Sequence, residues 1–107
     1  PDTDANGVLQ DVHWSMASFG YFPTYTLGTL TAAQLTEALR DDGLDLDARL
    51  ADGDFAPILD WLRTHVHQHG RKLTAPQLLE RVTGDELSAD PWLRYAENKF
   101  GALYDLG

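Results

Sequence analysis

The spacing of apolar residues predicts a long helix in the first half of the chain. After Pro23 the apolar positions recur at intervals of three and four, which is the spacing of one helix face, until Gly43. Proline suits the first turn of a helix, and glycine is a common residue just past its end. We therefore predict helices at 23–42 and, more briefly, at 45–51. The apolar stripe of the first consists of Leu27, Thr31, Leu35, Ala38 and Leu39.

Two further segments carry helix signals in the middle of the chain. Residues 54–69 contain a clean apolar stripe, with Asp54 as a candidate N-cap. Thr74 and Gln77 form a T-x-x-Q capping box, in which each residue satisfies a free N–H group of the other. This box predicts the start of a helix at 75–83.

The last segment completes an all-α prediction. Asp90 is a candidate N-cap and Pro91 a candidate first residue of a helix at 91–105. No alternating pattern of apolar and polar residues reaches a useful length, so no strand is expected. The fold class is therefore predicted to be all-α.

Composition and charge exclude several classes of function. The 107 residues carry 17 acidic and 8 basic side chains, a net charge of −9. A nucleic-acid partner or an anionic membrane surface would require a basic face, so both are disfavoured. The absence of cysteine excludes disulfides and thiol catalysis, and it fits a cytoplasmic location. We see no signal peptide and no apolar run of about 20 residues, the length that spans a membrane.

Three histidines near the middle of the chain are candidate metal ligands. If residues 54–69 are helical, His65 and His69 lie one turn apart and could share a transition metal, whereas His67 points elsewhere. A catalytic metal would still need a third ligand and a general base. We favour a solvated helix end, where histidine complements the helix dipole.

The segment with the richest chemistry lies near the start of the chain. Gly7-Val8-Leu9-Gln10-Asp11-Val12-His13-Trp14 brings together an amide, a carboxylate, an imidazole and an indole, followed by aromatic residues and glycines. On the residues alone a structural role is favoured, in which Gln10 or Asp11 caps a helix and His13 and Trp14 belong to the core. A functional role is the alternative.

This segment resembles the G-x-x-Q-D-x-H-W motif of the carboxypeptidase Taq family. The following FGYFPTYTLG resembles the F-G-Y-F-P-[ST]-Y-x-L-G stretch of the same family. Two later stretches, DWLRTHVHQHG and LLERVTGDELSADPWLRYAENKFGALY, resemble its C-terminal helices more loosely. The resemblance covers nearly the whole chain.

The resemblance implies a C-terminal region of a largely helical metallocarboxypeptidase, usually a homodimer, that removes C-terminal amino acids from peptides. In such enzymes zinc or another divalent metal is held by H-E-x-x-H and a downstream glutamate. This sequence contains no H-E pair. The expectation is an active-site-side loop segment at 1–22 and a helical bundle at 23–107, without metal ligands or catalytic residues. Alone, the chain should bind no metal and be inactive; its partners would be the N-terminal part of the enzyme and a peptide substrate.

The same resemblance nominates residues that contact the substrate. Tyr21 is preferred over Tyr25 as a phenol that donates to the peptide, because Tyr25 also fits helix packing. The competing hypothesis is a non-catalytic, acidic helical module that binds a protein partner, which predicts a closed core with one exposed apolar patch. The nominated substrate-side residues are Gln10, Asp11, His13, Trp14, Tyr21 and Tyr25.

Overall fold

The structure, a computed structural model, describes residues 1–106. For Val8 it describes only the backbone. Residues 1–106 contain helices and turns but no strand, so the all-α prediction is confirmed. Three 3-10 turns, at Asp4–Asn6, Val8–Gln10 and His67–His69, accompany the α-helices. The α-helices are α1 (Val12–Ser15), α2 (Pro23–Asp41), α3 (Leu46–Asp52), α4 (Ala56–His65), α5 (Ala75–Thr83) and α6 (Asp90–Tyr104).

Helix α4 is shorter than its apolar stripe predicts. Phe55 rather than Asp54 occupies the N-cap position, and the Asp54 carboxylate instead accepts a hydrogen bond of 2.9 Å from Arg49. The helix ends at His65 because the chain tightens into a 3-10 turn after Val66. His65 and His69 therefore do not lie one turn apart on a single helix.

The sequence correctly predicted the N-cap of α5 but not that of α6. The Thr74–Gln77 capping box is present: Gln77 N–H donates to Thr74 Oγ1 at 3.4 Å, and Thr74 N–H donates to Gln77 Oε1 at 3.0 Å. Asp90 is not the N-cap of α6. Ala89 occupies the N-cap position, Asp90 is the first helical residue, and the Asp90 N–H donates to Ser88 Oγ at 3.1 Å.

Helix α2 is the centre of the fold and packs against both α5 and α6. Leu39 of α2 and Leu79 of α5 are the apolar core residues of the described chain. Beside them lies Gln34, a buried polar residue whose amide nitrogen donates to the Glu86 carbonyl at 2.9 Å. Its amide oxygen accepts the Ser88 N–H at 3.2 Å. Gln34 thus fixes the loop between α5 and α6 onto α2. The predicted stripe contained Leu39 but missed Gln34.

Two polar contacts position the helices around α2. Arg94 of α6 donates to both carboxylate oxygens of Glu37, at 2.9 and 2.6 Å. The Trp61 indole of α4 donates to Asp42, at the end of α2, at 2.7 Å. Both contacts lie at the surface and link α2 to α6 and to α4.

The chain as a whole is open rather than compact. Its radius of gyration is 17.8 Å, whereas a compact domain of this length has a radius of about 13 Å. Its accessible surface is 8195 Å², and a compact monomer of this mass exposes about 5,900 Å². Many large apolar side chains are exposed, including Leu27 at 50%, a member of the predicted stripe. Among residues 1–106, no helix combines the length and apolar character that a membrane crossing requires.

Candidate functional site

The candidate site is centred on His13, which α1 and its N-cap hold in place. Asp11 caps α1: its Oδ1 atom accepts the backbone N–H of His13 at 2.8 Å. The same Oδ1 atom lies 2.7 Å from Nδ1 of the His13 ring. The cap residue of this short helix therefore also orients the side chain that the helix carries.

The second nitrogen of His13 contacts the first turns of α2. Its Nε2 atom lies 3.1 Å from the Tyr25 hydroxyl. The His13 and Tyr25 rings meet edge to face, with centroids 5.7 Å apart. Because both ring nitrogens have partners, the orientation of the imidazole is fixed at two points.

Two further aromatic side chains flank the imidazole. The Tyr21 ring is stacked on His13 with centroids 5.4 Å apart, and Phe22 packs against it at 4.8 Å. Tyr21 is 49% exposed, and within residues 1–106 its hydroxyl makes no hydrogen bond. This phenol therefore keeps its donor and its acceptor capacity for an external group.

The electrostatics of the cluster are set by Asp11. The backbone N–H of His13, and then its ring, hold the pKa of the Asp11 carboxyl below its ordinary value. Asp11 is consequently ionised at neutral pH, and an ionised carboxylate can only accept hydrogen bonds. Hydrogen-bond donors that stabilise the charged form of a carboxyl lower its pKa in this way.

Trp14 lies beside the cluster rather than in it. Its indole packs edge to face against Phe19, with centroids 5.0 Å apart, and remains about half exposed. A small cavity of about 70 Å³ opens between this pair and the imidazole. The cavity is lined by His13, Trp14, Ser18, Phe19, Gly20 and Phe22.

Gln10 is separated from the other nominated residues. Its side-chain amide donates to the Ala5 carbonyl at 2.7 Å and so ties together the two 3-10 turns that precede α1. The structure thus brings together Asp11, His13, Tyr21 and Tyr25, places Trp14 next to them, and gives Gln10 a bracing contact in the preceding segment.

Sequence reasoning missed two residues of this region. Phe22 contacts the imidazole directly, and its signal was its place among the aromatics of the F-G-Y-F-P segment. Ala17 terminates α1 in the left-handed conformation, with φ of 55°. Its N–H donates to Trp14 O at 3.1 Å and the Ser18 N–H donates to His13 O at 2.8 Å. That pair of bonds is a Schellman motif, usually built with glycine, so an alanine gives no sequence signal.

The histidines beyond α1 are distributed differently. His65 stacks on Trp61 with ring centroids 4.6 Å apart. The part of the chain that the structure describes contains no group of three or more histidine, aspartate or glutamate side chains arranged to hold a metal ion.

Comparison with known proteins identifies the family to which this chain is similar. Residues 1–100 match the sequence profile of the family described as carboxypeptidase Taq (M32) metallopeptidase. Thermostable carboxypeptidase 1 of Thermus thermophilus is 48% identical over 104 residues, which cover 97% of this chain and 20% of that protein. Carboxypeptidase 1 of Bacillus subtilis is 44% identical over 104 residues, covering 97% and 21%. The M32 carboxypeptidase of Deinococcus radiodurans has a solved structure that superimposes with a TM-score of 0.85 at 40% identity, over 98% of this chain and 21% of that one.

The chain therefore spans about a fifth of the length of the curated relatives it matches. The matched range contains the complete His13 cluster, helices α2 to α5 and most of α6. The resemblance inferred from the sequence motifs is confirmed, and the chain belongs to the carboxypeptidase Taq (M32) family of metallopeptidases.

Proposed function

We propose that this chain is the C-terminal part of a metal-dependent carboxypeptidase that removes C-terminal amino acids from peptides. In this proposal it supplies side chains on the substrate side of the active site. The observation that carries the proposal is the cluster of Asp11, His13, Tyr21 and Tyr25, which lies within a family match over residues 1–100.

The cluster suits a peptide because it holds an exposed phenol, that of Tyr21, whose hydroxyl has no partner within the described residues. A phenol or imidazole that donates to the oxygen of a scissile carbonyl stabilises the charge that develops there during hydrolysis. Tyr21, which is exposed and stacked on His13, is well placed for such a contact. Trp14 and Phe19 offer an adjacent apolar surface for a substrate side chain. Gln10 braces the segment that leads into α1.

The metal belongs to another part of the enzyme in this proposal. The family is one of metallopeptidases, yet residues 1–106 assemble no set of metal ligands. The sequence also lacks an H-E pair. The residues of this chain therefore do not fit a metal site, and zinc or another divalent ion would be held by an H-E-x-x-H segment elsewhere. Isolated, the chain should neither bind zinc tightly nor cleave peptides.

The partner that covers the open faces of the helices would be the rest of the carboxypeptidase. The surface of 8195 Å² exceeds the roughly 5,900 Å² of a compact monomer of this mass by about 2,300 Å², and this excess is available for a partner to cover. We further propose that the intact enzyme is a cytoplasmic homodimer. The competing hypothesis of an acidic interaction module requires a closed core, and the few buried apolar residues disfavour it.

Two experiments test the proposed function. The intact mass of the natural polypeptide and its reading frame should reveal a longer protein with H-E-x-x-H before the segment described here. That protein should release C-terminal amino acids from peptides in a metal-dependent reaction, and the purified 107-residue chain should not. Metal-dependent release by the purified chain at a rate above the blank would contradict the proposal.

A further inference from the structure

The contacts of the Asp11 carboxylate determine where the proton of the neutral His13 ring resides. Asp11 Oδ1 receives the backbone N–H of His13 at 2.8 Å and faces ring Nδ1 at 2.7 Å. Because the ionised carboxylate has only acceptor sites, Nδ1 must be the donor in this contact. In a neutral imidazole the other nitrogen then carries a lone pair.

That lone pair in turn determines the direction of the Tyr25 hydroxyl. With Nε2 unprotonated and 3.1 Å away, the Tyr25 O–H donates to the ring. Its hydrogen is therefore engaged inside the cluster. Tyr21, by contrast, makes no such bond within the described residues, and its hydroxyl is the one left to donate outward.

We infer that Asp11 is a positioning residue, which acts through the His13 ring to fix Tyr25 and leaves Tyr21 as the phenol that faces the substrate. This inference rests on the proposed function and assigns separate roles within the same site. Asp11 does not touch the substrate in this arrangement. A carboxylate that holds a histidine in one tautomer can contribute up to about 10⁴-fold to turnover where the histidine itself transfers protons. Because His13 acts here only through Tyr25, a smaller loss of about tenfold is expected.

A helix cap alone would explain the backbone contact of Asp11 but not the ring contact. Serine is also a good N-cap, and its hydroxyl can accept the His13 N–H. The serine side chain is one bond shorter than that of aspartate, so its hydroxyl cannot accept the His13 N–H and reach Nδ1 of the ring at the same time. Asp45 provides the matched control, because it caps α3 by accepting the Ala48 N–H at 3.0 Å and no histidine ring contacts it. Asp11→Ser and Asp45→Ser therefore make the same change at two caps, of which only one orients an imidazole.

The test uses the intact carboxypeptidase that carries this segment, loaded with zinc. Histidine labelled with ¹⁵N in the ring reports which nitrogen is protonated, and His13→Gln identifies the His13 signals. The spectra are recorded at a pH high enough for the His13 ring to be neutral. In the unsubstituted enzyme the form protonated on Nδ1 should then dominate. Asp11→Ser should shift the population toward the form protonated on Nε2 and lower kcat about tenfold or more, with little change in KM.

Two comparisons make the outcome decisive. Asp45→Ser should leave both the His13 signals and kcat unchanged. Tyr25→Phe should lower kcat less in the Asp11→Ser variant than in the unsubstituted enzyme. Both substitutions interrupt the same series of contacts, from Asp11 through His13 to Tyr25. The inference is overturned if Asp11→Ser leaves the ring protonation as it was, or lowers kcat no more than Asp45→Ser. If the unsubstituted protein lacks carboxypeptidase activity, the proposed function fails, and the ¹⁵N signals still decide whether Asp11 orients His13.

Discussion

The Tyr25 hydroxyl lies 3.1 Å from Nε2 of His13, although the two residues are twelve positions apart and belong to different helices. This contact joins the Q-D-x-H-W segment to the F-G-Y-F-P-T-Y segment and makes them one cluster. Substitutions in either segment should therefore have related effects on the same chemistry.

The first prediction concerns Tyr21→Phe and His13→Ala in the intact enzyme. Both should reduce turnover more than they reduce folding stability. Tyr21→Phe loses one donor to a developing oxyanion, which costs about 2–4 kcal/mol of transition-state stabilisation. His13→Ala loses the ring on which Tyr21 stacks and to which Tyr25 donates. Tyr21→Phe is the cleaner change, since it deletes one oxygen that has no hydrogen-bond partner within the described residues. Turnover number and melting temperature, measured on the same preparations, check it.

A structural role for these side chains has a different signature. Removing a buried histidine leaves unpaired partners and a cavity, so stability falls while the chemistry of folded molecules stays nearly normal. If both variants melt much earlier yet keep wild-type turnover when folded, the two residues are braces, and their assignment to the substrate side is wrong.

The second prediction is that Ala17→Gly stabilises the segment that carries His13. Ala17 has φ of 55° at the end of α1, and a left-handed conformation costs a residue with a Cβ atom about 1–2 kcal/mol. Glycine avoids that cost but loses more entropy on folding, so a net gain of up to about 1 kcal/mol is expected. Urea denaturation of the purified chain measures it.

A glycine substitution within a right-handed helix should have the opposite effect on stability and provides the control. Ala32 is exposed within α2, and Ala32→Gly should destabilise the chain by about 1 kcal/mol. Equal destabilisation by both substitutions would show that the left-handed conformation of Ala17 carries no cost in this protein.

The sequence predicts the helices well because their signals are local. Periodicity, proline and the Thr74–Gln77 box locate the starts and stops of α2, α3 and α5 within a few residues. The end of α4 was missed because no breaker stands between His65 and Gly70. The sequence therefore contains no signal for the 3-10 turn that follows Val66.

The sequence indicates most of the side chains that meet around His13 but not the contacts they make. The sequence leaves a helix cap and a functional role open for Asp11. The structure shows that its Oδ1 atom accepts the His13 N–H and also lies 2.7 Å from the His13 ring, a second contact that the sequence does not predict. The bond from Gln10 to Ala5 depends on how two 3-10 turns fold against each other, which no periodic pattern encodes. Gln34 looked like an ordinary helical residue, and its burial depends on the loop after α5.

The third prediction is that Gln34→Ala destabilises the chain by about 2 kcal/mol. The substitution leaves the Glu86 carbonyl and the Ser88 N–H without the partner they have in the structure, and an unsatisfied buried group costs about 1–3 kcal/mol. Chemical denaturation should show the loss. Gln68→Ala, at an exposed position, should change the midpoint little; similar losses for both would mean that the buried amide does not fix the loop.

The fourth prediction is a pH dependence of the ion pair between α2 and α6. The Arg94 guanidinium lowers the pKa of Glu37, so the unfolded chain binds the proton more readily. The pair therefore contributes its full stability above the unfolded pKa of about 4 and loses it as the pH falls through the lower folded value. The Glu37 side chain is 36% exposed and the Arg94 side chain 55%, so solvent screening keeps the contribution small.

Glu37→Gln should remove this part of the acid sensitivity. The difference in free energy of unfolding between the variant and the parent chain should be largest at neutral pH and shrink as the pH falls through the lowered pKa of Glu37. Glu97→Gln, an exposed carboxylate with no ion pair in the described part of α6, provides the control and should give a difference that is small at every pH. A Glu37→Gln effect that stays constant down to low pH would contradict the assigned cause.

The last prediction is that the isolated chain associates or binds apolar probes. Its exposed aromatic residues are concentrated before α2 begins and again along α6, where Phe100 and Tyr104 stack on each other. Contiguous apolar patches of more than a few hundred Å² are rare on stable monomers and mark surfaces that another protein covers. A hydrophobic dye should therefore fluoresce strongly with the isolated chain and weakly, per mole, with the intact carboxypeptidase. Sedimentation should show species larger than a monomer at micromolar concentration. A monodisperse monomer that binds no dye would mean that these side chains close on one another in solution, and the rest of the enzyme would then not be needed to cover them.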